Sequence, residues 1–316
     1  MNFKTLYPFI LFLAAFVFIL PACKQTQKIP TEVEPKIEDY SVANSLLWKI
    51  SGKDLTTDSY LYGTIHIIND EDYFLPGGTL SAIDQSEKIV FEIDMAEMND
   101  ISKQLGLLKD AFMKDGLTLK DLLTDEEYKI VGDHFKKIGM PLFLFERIKP
   151  MFLTVFASGD LDPQDLQSGK IKSYEMEFYD IATRSDKAVG GLETIEFQMS
   201  IFDSIPYQDQ ANMLVESIKV ADTEGDQFKE MIDVYKRQDL NAMQSMFEEE
   251  DTGLQGYEDI LLVKRNQNWI PIMAEMMKEQ TAFFAVGAGH LGGKYGVIQL
   301  LKEAGYTLTP LSETNM

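Results

Sequence analysis

Cysteine, histidine and positive charge are scarce in this sequence, and each scarcity removes a class of function. One cysteine, Cys23, stands in 316 residues, so an internal disulfide cannot form. Any imidazole-based site must be built from 3 histidines, His66, His134 and His290. Lys and Arg number 29 against 51 Asp and Glu, a net charge of -22, which argues against nucleic-acid binding and against a basic membrane-surface patch. The chain has no His-Glu-x-x-His motif and no nucleophile-elbow serine to support a Ser–His–Asp triad. At 45% hydrophobic and 25% charged residues it is nevertheless globular in composition and long enough to bury a substantial core.

The first residues do not belong to that core. Residues 1–4 carry one lysine, 6–20 are almost entirely apolar, and Leu20-Pro21-Ala22-Cys23 follows. This layout predicts an export signal over residues 1–22, ending at a lipobox-type Cys23 that is lipidated and becomes the first mature residue. Residues 23–40 then form a flexible tether, with two prolines and scattered charge. The folded domain spans 41–316. The expected location is the bacterial cell envelope, facing periplasm or exterior, with the membrane reached through the lipid alone.

Within the domain, 46–50 and 59–67 read as two strands of an antiparallel hairpin. Residues 79–86 read as a short helix and 88–95 as a strand. On that strand Val90, Glu92 and Asp94 share one face, and a carboxylate inside an apolar strand is costly unless it binds something. From 97 to 238 the pattern is mostly helical, a large helical insertion. Thr124 to Glu127 predicts a capping box. The helix it opens carries His134, which has no acidic partner at ligand spacing and is expected to be structural or at the surface. Residues 187–194 form a weak strand ending in Glu193, with Thr194 placed to cap the next helix. Residues 257–279 read as a helix kinked or restarted at Pro271, with Arg265 and Trp269 one turn apart on one face. The chain closes with a buried strand over 282–286, a helix over 295–304 and a strand over 306–311.

Two of the three histidines share one context. Tyr60-Leu-Tyr-Gly63-Thr-Ile-His66 and Phe283-Phe-Ala-Val-Gly287-Ala-Gly-His290 each run from an apolar strand into Gly-x-x-His. A histidine just past a buried strand stands at the sheet edge where open α/β folds place ligands. Adjacent parallel strands would bring His66 and His290 into one cleft. With Glu92, and Glu193 nearby, they form a nitrogen–oxygen set suited to Zn, Mn, Co or Fe(II). The glycine three residues before each histidine leaves room for close approach. A metal there would acidify water and polarise a carbonyl, a spare carboxylate could shuttle the proton, and Arg265 could hold the oxyanion.

Taken together, Leu47-Trp48-Lys-Ile, Tyr62-Gly-Thr-Ile-His66, Phe91-Glu-Ile-Asp94, Gly191-Leu-Glu-Thr194, Arg265-Asn266-x-x-Trp269 and Val286-Gly-Ala-Gly-His-Leu291 resemble the TraB/GumN/TIKI family over nearly all of 46–311. The resemblance implies an α/β fold, a mixed and largely parallel sheet flanked by helices, related to erythromycin esterases and ChaN-type haem-binding lipoproteins. It maps the family's two Gly-x-x-His motifs onto His66 and His290, its strand acid onto Glu92, and its Arg-Asn pair onto Arg265 and Asn266. Animal TIKI members are described as Mn- or Co-dependent metalloproteases, which implies a divalent metal and a peptide or protein substrate. Leu291-Gly-Gly stands where Leu-Pro-Gly is expected, a change that would loosen the loop and spare the ligands. Three functions remain open: a metal-dependent hydrolase, a non-catalytic lipoprotein binding a metal or haem, and an inhibitory or scaffolding partner. The aromatic residues Tyr60, Tyr62, Phe283 and Phe284 could line the site or fill the core.

Overall fold

The computed structural model describes residues 39–99, 106, 109–157, 170–223, 227–248 and 256–311. The expected signal over 1–22, the lipidated Cys23 and nearly all of the tether over 23–40 lie outside the described residues. The sheet is built on the apolar run AFFAVG, strand β7 (Ala282–Gly287), which is buried from Ala282 to Val286. A strand covered on both faces has no need of alternating polarity, and each buried Phe there contributes ~1.5–3 kcal/mol. Flanking it in parallel are β2 (Ser59–Thr64) and β4 (Lys88–Ile93). Beyond β4 lies β6 (Ala188–Glu193), also parallel; beyond β2 lie β1 (Leu47–Ser51) and β8 (Thr307–Pro310), joined by antiparallel ladders. The order is β6-β4-β7-β2-β1-β8. The fold is therefore α/β with a mixed, largely parallel sheet flanked by helices, and the 47–64 hairpin is antiparallel as its sequence indicates.

Register decides which residues share an edge. Thr64 pairs with Gly287, and Ile93 with Glu193, so the parallel strands all finish at the same side of the sheet. The strand expected over 59–67 stops at Thr64. The chain leaves the sheet, and β3 (Ile68–Asn69) pairs instead with β5 (Ile171–Lys172) in a two-residue antiparallel ladder. No periodicity announces so short a pair.

Several helix signals hold. Helix α1 covers Thr79–Gln85. Helix α2 (Asp125–Lys137) opens on the Thr124/Glu127 capping box. Helix α3 (Tyr174–Arg184) crosses from β5 toward β6, and α4 (Ile195–Asp203) starts with Thr194 Oγ1 accepting from the Phe197 N–H at 3.1 Å. The helix over 257–279 differs from expectation. Helix α5 (Lys264–Glu279) continues through Pro271, and the irregularity is a π-helical segment, Asp259–Val263, just ahead of Arg265.

Among the described residues two hydrophobic clusters form. The larger wraps the sheet; the smaller, with Leu119, Val131, Phe135, Leu142 and Leu214, lies in the helical insertion. His134 packs edge-on against Phe135 of the second. It is buried, and its Nε2 meets the Phe156 carbonyl at 2.7 Å, a structural role. Tyr62 and Phe283 pack with Tyr174 and Phe178, and Tyr60 and Phe284 are equally buried. These aromatics fill the core.

Candidate active site at the carboxyl edge of the sheet

Four elements converge at that edge. Strand β4 supplies Glu92, β6 ends in Glu193, α5 supplies Arg265, Asn266 and Trp269, and the turn after β7 supplies His290. At their centre is the Arg265 guanidinium. Its Nε donates to Glu193 at 3.0 Å; its Nη2 donates to Glu92 Oε2 and to Glu193 Oε1, both at 2.5 Å. Its Nη1 donates to the Leu261 carbonyl at 3.1 Å and faces His290 Nε2 at 3.2 Å. A guanidinium has five N–H groups, and these contacts engage all of them. Arg265 also lies over the Trp269 ring, 5.0 Å from its centroid, the stack that the four-residue spacing indicates.

The proton positions on His290 follow from the network. The Asn266 amide nitrogen donates to the carbonyls of His290 (3.2 Å) and Tyr295 (2.9 Å), so its Oδ1 is the atom facing His290 Nδ1 at 2.6 Å. Nδ1 therefore carries the proton, and Nε2 keeps a lone pair. Burial holds the ring's pKa down to about 4, with Arg265 and His66 reinforcing burial against the pull of Glu92. At neutral pH His290 is an uncharged donor.

Glu92 is the opposite case. Burial opposes its charge, but His290, Arg265, His66 and the Gly287 N–H outweigh burial and bring it to about 2. Its Oε1 accepts the Gly287 N–H at 2.8 Å and lies 3.8 Å from His290 Nε2. Gly287 matters here for lack of a side chain, since a Cβ would stand 3.2 Å from Glu92 Oε1 and 3.6 Å from His290 Cδ2. Gly63, the matching glycine, does something else: a Cβ there would press on Leu291 at 3.0 Å and Ala288 at 3.1 Å. It lets β2 and the turn after β7 close together.

His66 lies past the end of β2, at the same edge, with a side chain 72% exposed. Its Nδ1 contacts Glu175 Oε1 at 3.1 Å, and that bond to a carboxylate raises its pKa. His66 contributes to the electrostatics of Glu92 and His290, yet its recorded contact is with Glu175.

The model of the TraB/PrgY/gumN family matches residues 46–310. The chain belongs to that family. Among curated relatives, Metalloprotease TIKI1 of Danio rerio is 23% identical over 317 residues, 83% of this chain and 62% of the relative. Metalloprotease TIKI2 of Xenopus tropicalis is 23% identical over 349 residues, 92% of this chain and 65% of the relative. Metalloprotease TIKI1 of Homo sapiens is 23% identical over 320 residues, 84% and 62%. The chain thus spans less than two thirds of the length of these relatives. No solved structure matches it.

In this TraB-family chain, Glu92, Glu193, Arg265, Asn266 and His290 form one hydrogen-bonded cluster, with His66 beside it. Arg265 binds the two glutamates together, and its remaining N–H groups face the Leu261 carbonyl and His290 Nε2. Glu193 accepts from Arg265, from Trp269 Nε1 at 3.1 Å and from Gln198 at 3.0 Å, so it anchors Arg265 and is not a free base. Asp94 accepts the Ala96 N–H at 2.9 Å, a wet strand end. The Leu291-Gly-Gly turn is closely packed, with Leu240 O 3.1 Å from where a Cβ on Gly292 would stand. Four contributors, Gln198, Glu175, Thr64 and Ser173, escape sequence reading. Gln198 bridges Glu92 and Glu193, and Thr64 and Ser173 both donate to Glu175. A polar residue four positions after the Thr194 cap was the available signal for Gln198.

Among the described residues no group of three or more His, Cys, Asp or Glu is gathered to hold a metal ion. The donor chemistry does fit one. The His290 Nε2 lone pair, which faces Arg265 Nη1–H at 3.2 Å, would have to give up that bond to take a metal; Glu92 is ionised, and their 3.8 Å separation is what two donors with bonds of about 2.1 Å can span. A third donor, His66, stands turned toward Glu175.

Proposed function

We propose that this chain is a metal-dependent hydrolase of the cell envelope, acting on peptides or proteins and held to the membrane by lipid on Cys23. The supporting observation is the fixed tautomer of His290, whose Nε2 lone pair faces Arg265 Nη1 at 3.2 Å and lies 3.8 Å from the Glu92 carboxylate. Metal-binding histidines are oriented in this way by a hydrogen bond to the far nitrogen. The metalloprotease names of the TIKI relatives supply the reaction class, and the apolar leader ending at the sole cysteine supplies the location.

His290 Nε2, Glu92 Oε1 and the imidazole of His66 would hold the ion, with Mn, Co or Zn suited to such a set. When bound, the ion supplies an acidified water and a polarised carbonyl. The chain's own residues do the rest. Asn266 keeps the His290 proton on Nδ1. Arg265 and the Gly287 N–H keep Glu92 ionised and aimed. Glu193, Gln198 and Trp269 keep Arg265 in place.

The test is hydrolysis of a peptide library by the full chain in detergent, after chelation and after return of Mn, Co or Zn. Activity lost and restored with metal supports the reading. Metal binding without turnover would favour the non-catalytic lipoprotein, which binds a metal or haem in the same cleft.

A further inference from the structure

Glu175 has no place in the cluster around Arg265, yet it is nearly buried, with a side chain 16% exposed. It stands in the first turn of α3 and accepts three hydrogen bonds. Thr64 Oγ1 donates to its Oε1 at 2.7 Å, Ser173 Oγ donates to its Oε2 at 2.9 Å, and His66 Nδ1 meets Oε1 at 3.1 Å. The β3–β5 ladder pairs Ile68 with Lys172. Continued by two residues on each strand, that register brings residue 66 opposite 174, so the ladder delivers Glu175 to His66. A two-residue sheet at this place has an evident use.

We propose that Glu175 is the positioning residue of His66, fixing its proton on Nδ1 and turning Nε2 to the cleft that also receives His290 Nε2. A carboxylate oxygen only accepts, so the shared proton lies on the histidine nitrogen. Two hydroxyl donors hold the carboxylate still, and a ring bonded to a fixed acceptor loses its rotational freedom. When both rings are neutral, the two Gly-x-x-His histidines match in tautomer and differ in partner. His290 is oriented by a neutral amide inside the protein, and the exposed His66 by a nearly buried carboxylate. A carboxylate behind an imidazole raises its basicity as a donor, so the exposed histidine is the stronger donor of the pair. This inference rests on reading the cleft as a donor site, and its first test does not depend on that reading.

Only three histidines exist, so nitrogen NMR of the full chain labelled at histidine can resolve every ring. In the metal-free protein, at alkaline pH where His66 is neutral, His66 and His290 are expected as Nδ1–H tautomers. His134, which bonds the Phe156 carbonyl through Nε2, is expected as Nε2–H and serves as an internal reference. Glu175→Ala should move His66 alone to the Nε2–H form, while Glu175→Gln, which keeps an acceptor oxygen, should retain Nδ1–H. Cobalt(II) titration should show roughly 10–100-fold weaker binding for Glu175→Ala and a smaller loss for Glu175→Gln. A wild-type His66 already in the Nε2–H form overturns the proposal, and so does a folded Glu175→Ala with an unchanged His66 tautomer. Should Glu175→Ala fail to fold, the wild-type spectrum still decides. If the tautomers are as stated but no form binds cobalt, the metal-dependent reading fails and the positioning role stands.

Discussion

Replacing Arg265 with methionine tests whether this side chain holds the site together. The side chains of Arg265, Glu92 and Glu193 are 10%, 11% and 5% exposed. The substitution keeps much of the volume and leaves two nearly buried carboxylates without their shared cation. Removing one partner of a buried ion pair costs about 3–5 kcal/mol. For a domain of this size such a loss lowers the melting temperature by roughly 10 °C. The sign of the pH dependence comes from Glu92: burial opposes its charge, yet His290, then Arg265, His66 and Gly287, bring its pKa from 4.5 to about 2, so Arg265 supplies part of the preference for the ionised, folded form. Because the folded pKa of Glu92 lies below its unfolded value, its contribution is present above about 4.5 and disappears as pH falls through about 2. Urea unfolding should therefore show the largest gap between wild type and Arg265→Met near neutral pH. The gap should narrow as pH falls through that window. Adding Glu193→Gln to Arg265→Met should recover part of the loss, since one buried charge is gone. A deficit under about 1 kcal/mol at neutral pH, or one indifferent to pH, would refute the reasoning.

The two motif glycines should separate function from fold. Gly287→Ala places a methyl 3.2 Å from Glu92 Oε1; it should weaken metal binding and hydrolysis with little change in melting temperature. Gly63→Ala presses on Leu291 and Ala288 and should cost about 1–3 kcal/mol of stability, measured by urea unfolding. If both act alike in both assays, the glycines do not have distinct roles. Cys23→Ser should release the protein from the membrane fraction; a variant that is still processed after Ala22 and still sediments with membranes counts against lipid attachment.

Much of this site was legible because its residues sit on strong local signals. A fully apolar strand ending in Gly-x-x-His needs no tertiary knowledge to be placed at a sheet edge, and the β2–β7 pairing brings the two histidines to the same side. Glu92 stood out because a carboxylate within KIVFEI is costly without a partner. Arg265 stood out by its spacing from Trp269, but its ion pairs with Glu92 and Glu193 have no local signal, because both partners lie far away in sequence. Glu175 was invisible for a different reason. An acid in a helix's first turn is common, and the two-residue ladder that carries it to His66 has no pattern long enough to read. The helix at Pro271 shows the limit of a local rule, since one missing N–H is tolerated where Trp269, Met273 and Met277 bury the same helix against the sheet.

Cobalt(II) binding by wild type and His290→Ala, followed by visible absorbance and by metal content after gel filtration, tests the central claim most directly. The account predicts one ion per wild-type chain, with absorbance bands of nitrogen–oxygen coordination, and loss of both in His290→Ala. Equal binding by the two proteins, or none by wild type, would contradict it.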